Sequence, residues 1–573
     1  MLLDYALLAD GERGVLVGPR GDFAWMCMPH WDSDAVFSTL IGGGGIYAVT
    51  PQDAHFVWGG YYEDCSLIWR SRWVTSSSVI ECREALAFPG DRETAVLLRR
   101  VRAVEGTASV SCVLDVRAAF GQEEMSNRHL HDGTWTGRSG EIYVRWNGAE
   151  TAHARRDGGL EMEVNLEPGT HHDLVLELSV NDFPEAPKSA DDYWSATEAS
   201  WAQSLPNFDL TVAPRAASHS YAVLRGMTSA TGGMVAAATM SLPERAEAGS
   251  NYDYRYAWIR DQCYVGQACA VTTPLPLLDD AVRFVSERII ADGSVMRPAY
   301  RVDGLAVPKE KRLKHLSGYP GGFDKVGNWV NGQFQLDAFG EALLLFAAAA
   351  RHDRLDSIHW SAVETAVAAI DERWREPDAG IWELENRLWT QSRLMAIAGL
   401  RDIARCAPAA AASKWSGLAD AMLSEVAASC VHVSGRWQRA VDDDKVDASL
   451  LIPTLRGGLA KDDPRGLATL AAIDRDLVRD GYVYRFRHDE RPLEEAEGAF
   501  TFCGLLMSLA LHQQGDAVEA RAWFERNRAV AGPPGLLSEE FDIRQGQLRG
   551  NLPQSFVHAL VLECAARLSE PWT

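Results

Sequence analysis

The chain has 573 residues and a formal net charge of −23, with 47% hydrophobic and 24% charged residues. This length predicts about two to four domains, and the acidic balance disfavours a nucleic-acid partner, which would require clustered Lys and Arg. No run reaches the roughly 18 apolar residues of a membrane span, and residues 1–5 carry no basic cluster, so we expect no membrane partner, no signal peptide and a cytoplasmic location. The ten cysteines form no CxxC pair and no zinc-like spacing, which indicates reduced thiols and no metal.

The first third of the chain is predicted to consist mainly of antiparallel strands. Apolar and polar residues alternate between residues 62 and 179, most clearly over 66–74, 94–101 and 160–166. Such alternation buries one face of each strand, and short strands at close spacing are typical of a β-sandwich. We therefore assign 1–190 to an N-terminal antiparallel β-sandwich domain and 191–212 to a linker.

From about residue 213 the apolar residues recur at helical spacing, and we expect roughly a dozen helices. The predicted segments of three or more turns are 336–350, 362–374, 394–406, 418–429, 467–477, 500–512 and 556–568. Many are apolar on most faces, so they should be covered on both sides. A double ring of inner and outer helices provides that cover. A four-helix bundle has too few helices to account for the roughly dozen predicted here. We predict an all-α catalytic domain over 213–573.

A cluster of aromatic and charged residues fills 251–261, with three Tyr, one Trp, two Arg and two Asp. The adjacent Arg260 and Asp261 can bind neighbouring sugar hydroxyls, one as a donor and the other as an acceptor. The alternative is an ordinary helix start with acidic residues in its first turn and an Arg–Asp pair. The residues alone leave both interpretations open.

Two further motifs contain carboxylates. Glu383 follows Gly380-Ile381-Trp382, which should place it against the indole of Trp382, in surroundings that favour the protonated form of a general acid. The alternative is a surface glutamate in a loop.

The second carboxylate motif is 536–542, with Ser538, Glu539 and Glu540. Two adjacent carboxylates are not easily buried together, so one can serve as a base while the other is solvated. The alternative is a helix N-cap at Ser538 with acids in the first turn. A protonated and an ionised carboxyl group, with aromatic residues and an Arg–Asp pair around them, is an arrangement typical of glycoside hydrolysis.

Short motifs along nearly the whole chain carry a resemblance to one family. They lie at 4–10, 23–29, 32–33, 241–244, 252–261, 315–319, 327–328, 332–337, 340–341, 380–383, 497–500, 538–540 and 550–558. In content and order they resemble glycoside hydrolase family 15, the glucoamylase and bacterial trehalase family. The resemblance implies an (α/α)6 barrel behind a β-sandwich. It also implies hydrolysis with inversion, releasing β-glucose from the non-reducing end of an α-glucoside.

The resemblance also implies individual roles. Glu383 matches the general acid, and Glu539 matches the general base, with Glu540 as its neighbour. The implied substrate-binding residues are Tyr254, Trp258, Arg260, Asp261 and Trp382. As an inverting pair, the two catalytic carboxyl groups should stand roughly 6.5–9.5 Å apart, with a bell-shaped pH dependence of activity.

Two departures from the family pattern concern binding of the second sugar, the unit joined to the terminal glucose of the substrate. Leu384 stands where fungal glucoamylases carry another acid, and Trp329 stands where we expect a small residue. The expected partner is therefore a small α-glucoside or oligosaccharide, and the sequence does not distinguish trehalose, maltose-type and isomaltose-type substrates. It does not indicate the oligomeric state either.

One rival enzyme is an inverting disaccharide phosphorylase, in which a phosphate pocket replaces the basic carboxylate; the presence of Glu539 favours water as the nucleophile. A catalytically inactive sugar-binding protein is the alternative outside the enzymes. No haem, nucleotide or structural-metal motif occurs, so we expect no cofactor.

Overall fold

The computed structural model describes residues 2–183, 186–244, 251–320 and 322–572. Strands dominate its first 180 residues. In chain order they are β1 Ala6–Ala9, β2 Gly14–Val17, β3 Phe23–Cys27, β4 Ala35–Phe37, β5 Ile46–Pro51, β6 Val57–Tyr62, β7 Trp69–Val74, β8 Val79–Leu86, β9 Thr94–Glu105, β10 Ala108–Asp115, β11 Met125–His131, β12 Thr134–Ser139, β13 Ile142–Asn147, β14 His153–Ala154, β15 Leu160–Leu166 and β16 His171–Ser179.

These strands form antiparallel sheets in the orders β1-β2-β3-β4, β14-β15-β10-β5 and β11-β12-β13-β16-β9-β8-β7-β6. In β15 the buried side chains alternate with less buried ones, as the sequence predicts. One apolar cluster contains residues of all three sheets, including Trp69, Trp73 and Trp146. The prediction of a sheet-rich N-terminal part is confirmed. The alternation did not indicate β1 to β4, because these strands are buried at every position.

Helices dominate the rest of the chain. Besides the one-turn helix Leu493–Ala496, they are α1 Ala190–Ser204, α2 Pro214–Gly226, α3 Ile259–Ala268, α4 Pro276–Asp292, α5 Leu336–Ala350, α6 Ser357–Arg373, α7 Thr390–Ala404, α8 Ala409–Cys430, α9 Ile452–Leu455, α10 Pro464–Leu477, α11 Thr501–Gln513, α12 Ala517–Arg528 and α13 Ser555–Arg567. Short strands lie between them, namely β17 Ala257–Trp258, β18 Ala299–Tyr300, β19 Lys311–Arg312, β20 Lys325–Val326, β21 Val478–Arg479, β22 Tyr482–Val483, β23 Ala499–Phe500, β24 Glu540–Asp542 and β25 Gln547–Arg549.

Six helices contact one another in a closed order, α3–α5–α7–α9–α11–α13 and back to α3. Their apolar character explains this position, since every residue of α3 and nearly every residue of α5 is buried. The helices α4, α6, α8, α12 and α2 pack against α3, α5, α7, α11 and α13, respectively. The prediction that helices dominate this part is therefore confirmed. The predicted segments 336–350, 500–512 and 556–568 agree with α5, α11 and α13 to within one residue.

The segment predicted as a linker, 191–212, contains most of α1. Ser189 caps this helix by accepting a hydrogen bond from the backbone N–H of Asp192. The helix buries two tryptophans, and Trp201 stacks on Phe88 of the sheet-rich part with ring centroids 4.0 Å apart. Within 191–212, only the residues after α1 lie outside a helix, and they include a turn in which the backbone N–H of Thr211 donates to the carbonyl of Phe208 at 2.9 Å.

A buried charge pair joins the helical part to the N-terminal part. Arg255 pairs with Asp253 at 2.8 Å and donates hydrogen bonds to the carbonyl oxygens of Trp31 and Ser33 at 3.3 and 2.6 Å. These contacts fix the segment that leads into α3. In the described part of the chain, no helix combines the length and the apolarity needed to cross a membrane.

Candidate active site

The predicted site residues come together in one cavity of about 190 Å³. The side chains named from the sequence that line it are Tyr254, Trp258, Arg260, Asp261, Trp382, Glu383 and Glu539. They lie on the turn into α3, on the α6–α7 connection and on the α12–α13 connection. Leu384 and Trp329 line the same cavity, and Trp329 is half exposed.

Glu383 sits on a strained turn. Its φ of 55° lies in the left-handed region, which a residue with a side chain adopts only when the surroundings enforce it. The backbone N–H groups of Glu383 and Leu384 donate to Gly380 and Ala379 at 3.2 and 2.9 Å. Gly380 also has a positive φ, and a Cβ there would lie 2.8 Å from the ring of Trp389. Strain of this kind is typical of functional sites.

The carboxylate of Glu383 has partners other than the one predicted. It accepts hydrogen bonds from Trp258 Nε1 at 2.6 Å and from Gln335 Nε2 at 3.2 Å. The indole of Trp382 instead donates to Asp447 Oδ1 at 2.9 Å. The tryptophan that contacts Glu383 is therefore Trp258, because the turn directs the side chains of 382 and 383 to different partners.

Glu539 and Glu540 belong to a strand region and not to a helix start. The carbonyl of Glu539 accepts from the backbone of Thr501 at 3.1 Å, and Ser538 Oγ donates to the carbonyl of Glu540 at 2.9 Å. The alternative of a helix N-cap at Ser538 is thus excluded. Both carboxylates are buried, so the expectation of one solvated acid is wrong. Glu540 is accommodated because the N–H of Gly498 donates to it at 3.0 Å.

The sequence did not assign roles to several charged groups around Glu539. Arg485 lies 2.7 Å from Glu497 and 3.5 Å from Glu540. Glu244 lines the cavity with Arg485, Phe486 and His488. Glu244 and Glu497 lie in two of the family motifs, 241–244 and 497–500, which could have indicated them. Nothing in the sequence placed residues 485–488 at the site.

Burial is the largest influence on the carboxyl groups here. It raises the pKa of Glu539 well above its ordinary value; the neighbouring Glu244 raises it further, and Arg485 opposes both. The pKa of Glu540 is likewise raised well above its ordinary value by burial and by Glu497. Glu539 and Glu540 therefore hold their protons more strongly than an exposed glutamate does.

Arg260 and Asp261 lie in the first turn of α3, as the alternative interpretation also expects. Arg260 Nη1 donates to Gln335 Oε1 at 2.6 Å, and its guanidinium pairs with Asp337 at 3.4 Å. Asp261 accepts from Ser555 Oγ at 3.4 Å, and burial raises its pKa to about 7 although Arg260 opposes this. Arg260 is therefore held mainly by partners other than Asp261.

Aromatic rings complete the wall of the cavity. Tyr254 and Trp258 meet edge to face with centroids 5.4 Å apart, and Tyr252 stacks on Tyr254 at 6.1 Å. The hydroxyl of Tyr254 donates to Glu244 Oε1 at 3.1 Å. Aromatic surfaces beside carboxylates and a guanidinium suit a ligand with both apolar faces and hydroxyl groups, such as a sugar.

A buried histidine supports the loop before Glu539 and makes stability depend on pH. His558 Nε2 accepts from the N–H of Leu537 at 3.3 Å, and burial lowers the pKa of His558 to about 3. Between this value and the unfolded pKa near 6.5, the unfolded state binds a proton that the folded state lacks, so stability is lost as pH falls. Between pH 6.5 and 4.5, His558→Asn should lose roughly 2 kcal/mol less stability than the wild type, measured by urea unfolding.

The exposed His131 provides the control, since its side chain is 87% accessible and His131→Asn should keep the wild-type pH slope. An unchanged slope in the His558 variant would contradict the assignment of a neutral buried imidazole.

Comparisons with known proteins agree on one family. Residues 218–566 match the family model described as glycosyl hydrolases family 15, and residues 3–201 match the model described as trehalase-like, N-terminal. A trehalase of Mycobacterium tuberculosis is 30% identical over 99% of this chain and 89% of its own length. A trehalase of Mycolicibacterium smegmatis is 29% identical over 99% of this chain and 91% of its own length.

A solved bacterial glucoamylase, complexed with acarbose, shares the fold with a TM-score of 0.70 at 15% identity. That similarity covers 99% of this chain and 95% of the glucoamylase chain. The family-15 match covers more than half of the chain, and the trehalase similarity spans nearly all of it. The chain therefore belongs to glycosyl hydrolase family 15 and is a glycoside hydrolase.

Proposed function

We propose that the chain is an inverting, exo-acting α-glucosidase that releases β-D-glucose from the non-reducing end of small α-glucosides. The observation that supports this most directly is that Glu383 and Glu539, from two distant loops, line one cavity with Arg260 and Asp261. Inverting glycosidases need two carboxyl groups facing one substrate, with room for a water between them.

In the proposed reaction, Glu383 is the general acid. Its proton passes to the glycosidic oxygen as the bond from that oxygen to the anomeric carbon breaks. A water attacks the opposite face of that carbon and gives a proton to Glu539, the general base. Arg260 and Asp261 bind hydroxyls of the terminal glucose, while Tyr254, Trp258 and Trp382 form the aromatic part of the subsite.

We also propose that the helical part over 213–573 is an (α/α)6 barrel and that 1–190 is a β-sandwich. The closed order of α3, α5, α7, α9, α11 and α13 and the similarity to the glucoamylase fold support the barrel. The cavity lies among loops that join these helices, where such a scaffold presents functional side chains. The cytoplasmic location stays a prediction from the sequence.

Trehalose is the first substrate to test, because two relatives that match nearly the whole chain are called trehalases. Leu384 and the half-exposed Trp329 line the cavity in place of the residues expected there, and we propose that they shape the binding of the second sugar.

The phosphorylase alternative conflicts with the charge around Glu539. A phosphate nucleophile would have to enter beside Glu244 and Glu539, which are buried and close together. Carboxylates that share one guanidinium repel a further anion in surroundings of low dielectric constant. This arrangement favours water as the nucleophile.

One experiment tests linkage and stereochemistry together. The enzyme is incubated with trehalose, maltose, isomaltose, kojibiose, nigerose and dextran, and the fresh products are followed by proton NMR. We expect the cleaved anomeric carbon of at least one α-linked disaccharide to appear first as β-glucose, without added phosphate. From trehalose, whose leaving sugar is itself α-glucose, inversion gives α- and β-glucose in equal amounts, whereas α-glucose alone would show that the reaction retains configuration. A strict phosphate requirement with glucose 1-phosphate as product would establish the phosphorylase instead.

A further inference from the structure

Asp447 is a buried carboxylate that the proposed reaction does not use. Its side chain is only 4% accessible and is not among those that line the cavity. Trp382, the residue directly before the proposed general acid, donates from Nε1 to Asp447 Oδ1 and Oδ2 at 2.9 and 3.1 Å. This contact joins the turn that carries Glu383 to a distant segment of the chain.

The carboxylate of Asp447 is itself held firmly by the scaffold. Its Oδ1 accepts from the backbone N–H and the hydroxyl of Ser449 at 2.8 and 2.6 Å, which caps the short turn Ala448–Leu451 that leads into α9. Arg439 Nε lies 3.1 Å from Oδ2, and the carbonyl of Arg439 accepts from the N–H of Thr390 at the start of α7. Asp447 is therefore tied to the segments that begin two of the six helices in the closed order.

The turn that carries Glu383 depends on an anchor of this kind. Its backbone is strained at Glu383, where φ is 55°, and such a conformation persists only where the surroundings enforce it. The carboxylate of Glu383 contacts Trp258 and Gln335, but it gains and loses charge in every turnover of the proposed reaction. The contact between Trp382 and Asp447 takes no part in the proton transfer and can hold the turn throughout.

The hydrogen bond to Asp447 adds direction to the packing of the indole. Trp382 packs edge to face on Phe500 with ring centroids 5.2 Å apart, so packing alone keeps the ring in the wall of the cavity. A hydrogen bond requires its N–H group to point at the acceptor, so Asp447 also fixes the rotation of the ring. Because Trp382 and Glu383 are adjacent in one tight turn, a rotated indole would displace the carboxyl group of Glu383.

We propose that Asp447 is a positioning residue, which holds the Glu383 turn through the indole N–H of Trp382 and so directs the acid at the glycosidic oxygen. The proposal rests on the proposed function of Glu383 as the general acid. Asp447 itself neither gives nor takes a proton. A misplacement of about 1 Å in a reacting group can cost about a hundredfold in rate, which sets the largest effect expected when the anchor is lost.

The leaving group of the substrate distinguishes this role from simple support of the fold. A disaccharide needs a proton from Glu383 on its departing oxygen, whereas the fluoride of α-glucosyl fluoride departs with little help from an acid. Asp447→Leu keeps a similar volume and has no acceptor atom. On the disaccharide that the enzyme cleaves fastest, we expect its kcat to fall by about 10- to 100-fold, with KM within about threefold of the wild type. On α-glucosyl fluoride its kcat should fall by less than about threefold, because the base and the glucose contacts are unchanged.

A second variant removes the same hydrogen bond from the other side. Trp382→Phe lacks the N–H donor and leaves the contacts of Asp447 with Ser449 and Arg439 in place. Its kcat should again fall more on the disaccharide than on α-glucosyl fluoride. Two residues that act through one contact are not additive, so the double variant should be within about threefold of Asp447→Leu.

Asp463→Leu is the matched control for the loss of a buried cap and ion pair. Asp463 accepts from the N–H of Arg465 in the first turn of α10, lies 2.6 Å from the Arg465 guanidinium and is 10% accessible. Its kcat should stay within about twofold of the wild type on both substrates, as expected for a site that is independent of the cavity.

Glu383→Gln, assayed on the same two substrates, separates failure of the proposal from failure of the proposed function. An equal loss on both substrates in Glu383→Gln would remove the assignment of the acid, and the proposal with it. A split between the substrates in Glu383→Gln, together with equal losses or no loss in Asp447→Leu, would overturn the proposal alone. Additive effects in the double variant, or an equal split in Asp463→Leu, would overturn it too. If Asp447→Leu does not fold, Trp382→Phe decides, and the absence of a split there contradicts the proposal.

Discussion

Replacing Glu539 by Gln should lower kcat by about 10²–10⁴-fold, the range expected when a general base is removed. The amide cannot accept a proton from the attacking water, yet it keeps the shape of the buried side chain. Stopped assays of glucose release at the pH optimum measure the loss. Glu385→Gln should stay near wild type, because that side chain is 70% accessible.

A small nucleophile provides a second test of the same residue. In Glu539→Ala, azide can occupy the space of the missing carboxylate and attack the anomeric carbon without a base, while Glu383 still protonates the leaving oxygen. We expect added azide to restore turnover and to give the β-glucosyl azide. Azide should not rescue Glu383→Ala on unactivated disaccharides. Wild-type kcat in Glu539→Gln would remove Glu539 from this role and make Glu244 the carboxylate to test.

The elements with a single strong pattern were predictable from the sequence. α5 is almost entirely Ala, Leu and Phe, so its length and burial followed directly from its composition. α6 begins at Ser357, five residues before its predicted start, because its first turn carries no apolar periodicity. The strands β1 to β4 have no exposed face, so they gave no alternation to recognise.

At the candidate active site, the sequence predicted which residues come together but not which side chains contact one another. The aromatic, Arg and carboxylate motifs lie on loops, and the fold brings them to one cavity as expected. Contacts between side chains did not follow from adjacency: Trp382 precedes Glu383 but binds Asp447, while the distant Trp258 contacts Glu383. Arg485 could not be placed from the sequence, because its role depends on carboxylates that come from separate segments of the chain.

Replacing Asp261 is the second change that we expect to reduce activity strongly. Asp261→Ala should reduce kcat/KM by roughly a hundredfold or more, equivalent to about 3 kcal/mol of transition-state binding, because sugar hydroxyls lose a charged acceptor. The sequence also allowed an Arg260–Asp261 pair at a helix start, but in the structure Arg260 is held by other partners. Arg260 keeps Gln335 at 2.6 Å and Asp337 at 3.4 Å, so the guanidinium should stay in place.

The pH dependence separates binding by Asp261 from a structural role. Burial raises the pKa of Asp261 to about 7, so the charged acceptor forms only as pH rises through neutrality. The loss in Asp261→Asn relative to wild type should therefore grow between pH 6 and 8, in kcat/KM measured with one disaccharide. The surface variant Asp279→Ala, at a side chain that is 53% accessible, should show no such trend. Near wild-type kcat/KM in Asp261→Ala would show that Asp261 only supports the start of α3, and the sugar contact would have to be assigned to Arg260 alone.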